Sequence, residues 1–243
     1  MIEEKEDLPL VGETVIRKKI PVSSKQATEK EPLLPRIISI ILHPLLMGAY
    51  GVALLFLYTD FNLLFAGQFI RFMSPVVFFT CIVPLTGIYF LRKAGLIESY
   101  KLTERQDRLL PYIIVFFAYV LLIYYFYAAK LYVWFLSTLV APLILVVITA
   151  IINGFWKISA HMIGIGCLIG CTLSVCYNVK GVNPFFLFII LFILAGCLGV
   201  SRLALGRHTP AQVYAGFLLG LVVSYICVWI GAYWGILLFL KNV

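Results

Sequence analysis

The sequence contains a series of long apolar runs, each close to the ~20 residues that a helix needs to cross the hydrocarbon core of a bilayer. The runs are continuously apolar, whereas membrane barrels show short strands of alternating polarity, so the runs predict helices. We place them at 37–58, 69–91, 110–127, 131–153, 159–179, 184–200 and 211–232 or beyond. The chain is therefore predicted to be all-α, a polytopic membrane helical bundle of six or seven transmembrane helices.

Composition supports this fold class and limits the kinds of partner that the chain is expected to bind. The chain is 63% hydrophobic and 12% charged, with a mean hydropathy of +1.03. The net charge of +8 fits lipid headgroups and an anionic ligand, because the chain lacks the soluble basic surface that nucleic acid binding needs. The six cysteines fall within or beside apolar runs and show neither metal-ligand spacing nor a disulfide framework. No metal site, cofactor or nucleic acid partner is predicted.

Two regions are predicted from the distribution of charge. Residues 1–36 form a hydrophilic tail without an apolar run of signal-peptide length, and residues 37–243 form the membrane domain. Most of the 19 lysines and arginines fall on the tail's side of the membrane. By the positive-inside rule, that side faces the cytoplasm.

Three polar clusters interrupt the apolar runs: Lys101 with Arg108, Ser159 with His161, and Arg202 with His208. Taken singly, each cluster also fits ordinary interfacial charge or a structural histidine. Two membrane crossings separate each cluster from the next, so all three lie on the same face of the membrane. Unrelated features would not need to share a face, and we therefore expect one site that binds an anion.

The third cluster has a defined local shape. Gly206 permits a turn, Thr209 can cap a helix, and Pro210 suits the first helical position. Gln212 completes a Thr-x-x-Gln capping box. His208 is thus predicted to lie just before a helix N-terminus, where free backbone N–H groups favour an anion.

The order of these clusters resembles the type 2 phosphatidic acid phosphatase superfamily of integral membrane lipid phosphatases, over roughly residues 90–220. The first family motif is Lys, six residues, Arg and Pro. It matches Lys101 and Arg108, with Pro111 displaced by two residues. The second motif, Pro-Ser-Gly-His, matches Ile158-Ser159-Ala160-His161, in which Ile and Ala replace Pro and Gly.

The third family motif is the most specific: Ser-Arg, five residues, His, three residues, Asp. It matches Ser201-Arg202, His208 and Gln212. Gln212 stands where the family has the aspartate that orients the nucleophilic histidine. A glutamine oxygen can accept from a ring N–H but carries no negative charge, so a slower enzyme is expected unless Glu104 or Asp107 supplies that charge.

The resemblance implies a metal-independent phosphohydrolase and a role for each matching residue. His208 would attack phosphorus, His161 would protonate the leaving oxygen, and Gln212 would orient His208. The phosphate oxygens would be held by four residues: Lys101, Arg108, Ser159 and Arg202.

The resemblance also implies a phosphorylated lipid as substrate: a polyprenyl diphosphate, phosphatidylglycerol phosphate, phosphatidic acid or lipid A. A catalytically silent relative that binds or moves such lipids is the alternative, favoured by Ala160 and Gln212. A prenyl transferase is disfavoured, because its magnesium diphosphate needs paired Asp-rich motifs and the three aspartates here are scattered. The predicted location is a bacterial inner membrane. Bacterial relatives usually act on the periplasmic face, whereas the charge count favours the cytoplasmic face, and both alternatives stay open, as does the oligomeric state.

Overall fold

The computed structural model describes residues 32–98 and 106–241. Within these residues the structure is helical and contains no strand. Seven helical segments of this described part are long and apolar enough to cross a membrane, which confirms the predicted bundle and gives seven spans there.

The described residues contain ten α-helices, and all of them except the short α3 belong to these spans. The first half of the chain contains α1 (Leu33–Ile41), α2 (Met47–Tyr58), the short α3 (Phe61–Leu64), α4 (Phe69–Val77) and α5 (Val83–Lys93). The second half contains α6 (Leu109–Ala128), α7 (Val133–Phe155), α8 (Ala160–Ser174), α9 (Phe185–Ala204) and α10 (Pro210–Lys241).

The first span is broken, where the sequence predicts one continuous helix over 37–58. Helix α1 begins at Leu33 and ends at Ile41, and a single 3₁₀ turn at Pro44–Leu46 leads into α2. Pro44 has no N–H and its ring clashes with the carbonyl four residues earlier, so the helix cannot pass through it. The residue before a proline avoids the helical region, and His43 is extended, with ψ 138°.

Two other spans contain π-helical turns that the apolar pattern does not predict. One, Phe78–Ile82, joins α4 to α5 just before Pro84, whose missing N–H leaves the regular hydrogen bonding incomplete there. The other, Val175–Lys180, continues from the end of α8. It stops at Gly181, which has a positive φ of 62°. Both spans stay continuous enough to cross a membrane.

Helix α8 is the centre of the bundle, and glycines set its distance from α10. The span Ala160–Lys180 has 67% of its most apolar window buried, against 28–39% in the other six spans. A Cβ added at Gly166 or Gly170 of α8, or at Gly216 or Gly220 of α10, would meet the backbone of the facing helix. The two helices therefore pack closely at these glycines, as small residues in membrane helices allow. Gly196 of α9, by contrast, faces open space.

An ion pair joins two segments at the end of the bundle where the fifth span ends. Lys180 Nζ lies 2.6 Å from an Asp60 carboxylate oxygen and 5.1 Å from the centre of the Trp134 ring. The contact ties the end of the fifth span to the connection after α2. It lies across the membrane from the polar clusters described next.

Candidate functional site: two histidines among arginines

The polar clusters of the second, fourth and sixth connections meet at one end of the bundle. Arg108, at the start of α6, donates from Nη1 to the carbonyl oxygen of Ile158 at 3.5 Å. Arg202 and His208 are close enough to His161 to act on its charge. Segments fifty to a hundred residues apart along the chain therefore form one polar site.

Glycine packing brings the second and third clusters together. Gly216, in the second turn of α10, lies so close to α8 that an added Cβ would be 2.9 Å from the Ser159 carbonyl oxygen. A larger residue there would push the start of α10 away from the start of α8. The approach of these two helices places Ser159 and His161 beside the connection that holds His208.

The connection from α9 to α10 is a tight turn. The amide of Arg207 donates to the carbonyl of Arg202, and Gly206 takes the left-handed conformation, with φ 60°. Helix α10 then begins at Pro210, as the sequence predicts. The turn fixes the backbone on both sides of His208, so the short distance between Arg202 and His208 follows from local structure.

Gln212 contacts both the helix cap and the histidine. Its Oε1 lies 3.0 Å from Nδ1 of His208 and accepts from the backbone N–H of Thr209 at 3.3 Å. An amide oxygen only accepts, so Nδ1 of His208 carries the proton in this contact. In the neutral ring the lone pair is then on Nε2, the atom that can act as a nucleophile.

The surroundings of His208 keep its ring neutral. Its pKa is lowered from 6.5 to about 4, mainly by burial and also by the charges of Arg202, Arg108 and Lys157, against the raising effect of the Gln212 hydrogen bond. An imidazole with this pKa is unprotonated near neutral pH. His208 therefore has the protonation state that a nucleophile needs.

Two buried polar atoms in the site have no hydrogen-bond partner among the described residues: Ser159 Oγ and Arg202 Nε. Ser159 is fully buried, and its hydroxyl does not cap α8. Buried donors without a partner are costly, so their usual explanation is a ligand or water that completes them. A phosphate between Ser159 and Arg202 would accept from both.

His161 is held from the side of α1. Its ring lies beside the backbone of Ser39, in the last turn of α1, where carbonyl groups lack partners within the helix. The Ser39 hydroxyl in turn accepts from Arg202 Nη1 at 3.4 Å. The ring of His43 meets that of His161 edge to face, with centroids 5.1 Å apart and planes at 83°.

Sequence reasoning missed three residues that contact the site: Ser39, His43 and Tyr112. Tyr112 forms a side-chain hydrogen bond with Arg108, one helical turn away on α6. Of the three, His43 could have been identified from the sequence, because an ionisable residue inside an apolar span usually has a function. Ser39 and Tyr112 carry no such signal, since serine and tyrosine are common in membrane helices.

Of the remaining candidates from the sequence, the structure describes Asp107. Lys101 and Glu104 lie outside the described residues. Asp107 accepts a hydrogen bond from the backbone N–H of Glu98 at 3.1 Å, within its own connection. The groups that act on His208 in the described structure are cations and Gln212. In the same part of the chain, no three His, Cys, Asp or Glu side chains are grouped as metal ligands.

A known family model matches part of the chain. Residues 153–236 match the family model described as PAP2 superfamily. The matched segment runs from the end of α7 into α10 and contains Ser159, His161, Arg202, His208 and Gln212. No curated protein and no solved structure matches the chain. Over this third of the chain, which includes two of the three polar clusters, the protein is similar to the type 2 phosphatidic acid phosphatase superfamily.

Proposed function

We propose that the protein removes phosphate from a phosphorylated lipid through a phosphohistidine at position 208. The observation that carries the proposal is the pair of His208 and Gln212 among three cations, beside two buried polar atoms without partners. A neutral, oriented imidazole in a cationic setting suits attack on a phosphate ester. The similarity to this family supports a phosphatase that acts on lipid phosphates.

In the first step, Nε2 of His208 forms a bond to phosphorus while the bond from phosphorus to the ester oxygen breaks. His161 gives a proton to that oxygen, so the lipid leaves as an alcohol, or as a lipid monophosphate if the substrate is a diphosphate. The Gln212 oxygen accepts from the Nδ1 proton and holds the ring in the reactive tautomer.

In the second step, water attacks the phosphorus of the phosphohistidine. His161, now without its proton, takes one from the water, and the bond from His208 to phosphorus breaks. Inorganic phosphate leaves, and both histidines return to their starting states. No group outside the protein and water is needed to balance either step.

Arg108 and Arg202 would hold the phosphate oxygens and stabilise the charge that they carry in the transition state. Arg108 is oriented by the Ile158 carbonyl and Tyr112, and Arg202 by Ser39. The Ser159 hydroxyl would supply a further hydrogen bond. Lys101 is proposed as a fourth ligand of the phosphate from its place in the first family motif.

The direct test is phosphate release by the detergent-solubilised full chain from a panel of lipids. The panel contains phosphatidic acid, phosphatidylglycerol phosphate, a polyprenyl diphosphate and lipid A. We expect turnover of at least one lipid, with the same rate in the presence of a metal chelator. Binding of the lipids without phosphate release would instead favour the silent relative, the reading that the uncharged Gln212 supports.

Replacing Gln212 by aspartate tests the role of this glutamine. A carboxylate would stabilise the imidazolium and raise the pKa of His208 above about 4. We expect kcat to stay the same or rise by up to about tenfold, because a residue that holds a catalytic side chain through a hydrogen bond typically changes activity by a factor of this size. The acid limb of kcat/KM, which reports the free enzyme, should move to higher pH.

The matched control is Gln212→Glu, which keeps the side-chain length and the capping contact while adding the charge. Gln212→Ala should lower kcat, since it removes the acceptor for Nδ1. A large fall in activity with both acidic variants would contradict the view that glutamine is a weak substitute for aspartate.

A further inference from the structure

The break in the first span leaves backbone carbonyl groups without partners in their own helix, and side chains from elsewhere in the bundle donate hydrogen bonds to them. The Tyr50 hydroxyl donates to the Ile41 carbonyl at 2.8 Å, and Cys81 Sγ donates to the Leu45 carbonyl at 3.1 Å. The His161 ring lies beside the backbone of Ser39 in the same region. In a bilayer such groups must be satisfied within the protein, so the break forms fixed contacts.

His43 is itself held by the break. Its Nδ1 accepts from the backbone N–H of Leu45 at 3.3 Å, which makes His43 the cap of the turn at Pro44–Leu46. A ring nitrogen that accepts carries no proton, so the neutral ring has its proton on Nε2. The orientation of the His43 ring is therefore set by the backbone of the turn.

The fixed ring of His43 stands perpendicular to that of His161, at 83° and 5.1 Å between centroids. Aromatic rings favour this edge-to-face contact over others at the same distance. With the backbone of Ser39 on one side and the fixed ring of His43 on another, rotation of the His161 ring is limited. The His161 ring is thereby held for proton exchange with a substrate.

We propose that His43 is a positioning residue for His161, and that α1 and its break at Pro44 complete the active site of this chain. The inference rests on the proposed function, because it assigns His43 an effect through the general acid. His43 is not assigned a contact with substrate. The groups that face His161 are His43 from the break, Arg202 from α9 and His208 from the connection to α10.

Two single variants separate the ring of His43 from its capping role. His43→Asn keeps an acceptor for the Leu45 N–H and removes the ring. His43→Phe keeps a ring and removes the acceptor. If the ring positions His161, His43→Asn should lose more activity than His43→Phe. If His43 is only a cap, the order should be reversed.

The substrates distinguish an effect on the general acid from a general loss of structure. Phosphatidic acid releases an alkoxide, which needs a proton, whereas p-nitrophenyl phosphate releases a stable anion, which does not. We expect His43→Asn to lower kcat on phosphatidic acid by about tenfold with KM little changed. On p-nitrophenyl phosphate its effect should be much smaller. Equal losses on both substrates would overturn the proposal.

A double variant tests whether His43 acts through His161. In a His161→Ala background, adding His43→Asn should cause no further loss on phosphatidic acid. A further tenfold loss would show that His43 acts independently and would overturn the proposal. No turnover of any lipid of the panel by the unaltered protein would refute the proposed function itself. Unaltered turnover in His43→Asn would overturn only the inference about His43.

Discussion

Phosphate release from the preferred lipid should fall by at least about 10³-fold when His208 is replaced by alanine, because removal of a nucleophile costs a covalent enzyme most of its rate. The ring contributes Nε2 to the new bond, and alanine has no atom that can replace it. The measurement is inorganic phosphate released from the lipid over time. Binding of the lipid should persist, since Arg108 and Arg202 are unchanged.

The control for this variant is Arg71→Gln, at an exposed cation on the opposite side of the membrane from the site. It should behave as the unaltered protein does in both rate and elution from a sizing column. Normal turnover in His208→Ala would rule out His208 as the nucleophile.

Replacing His161 by alanine should lower kcat on phosphatidic acid by about 10²- to 10⁴-fold, the range typical of a general acid. The loss should be far smaller on p-nitrophenyl phosphate, because its leaving group departs without a proton. The ratio of the two rates is the quantity to measure. Variants of His208 should lose both activities alike, since both substrates need the nucleophile.

A matched control for His161→Ala is Ser39→Ala, which keeps the backbone group beside His161 and removes only the hydroxyl that contacts Arg202. It should weaken the binding of both substrates equally, because Arg202 holds the phosphate group that they share. A loss in His161→Ala that is equal for both substrates would argue against a role in protonating the leaving group.

Much of the fold could be predicted from the sequence, because each span is a long apolar run and each connection is short. The even number of crossings between the polar clusters predicts that they share a face, and Arg108 does reach Ile158 across fifty residues. The turn before α10 was also predictable. Gly206, Thr209 and Pro210 carry local signals that do not depend on the rest of the chain.

The contribution of α1 could not be predicted, because contacts between distant helices leave no periodic signal in an all-apolar pattern. Nothing in the neighbourhood of Ser39 indicates that its backbone meets His161, or that its hydroxyl meets Arg202. Pro44 explains the break, but the partners of the groups that the break frees depend on how α8 and α9 pack. Gly196 shows the same limit, since it lies on a face without a neighbour.

The central claim is that His208 becomes covalently phosphorylated, and the most direct measurement is to trap that intermediate. The protein is mixed briefly with a lipid labelled in its phosphate, quenched in alkali to preserve phosphohistidine, and digested for mass spectrometry. We expect label on the peptide that contains His208, formed and lost at rates consistent with turnover, and none in His208→Ala. Rapid turnover without any labelled protein, or with label on a different residue, would contradict the mechanism.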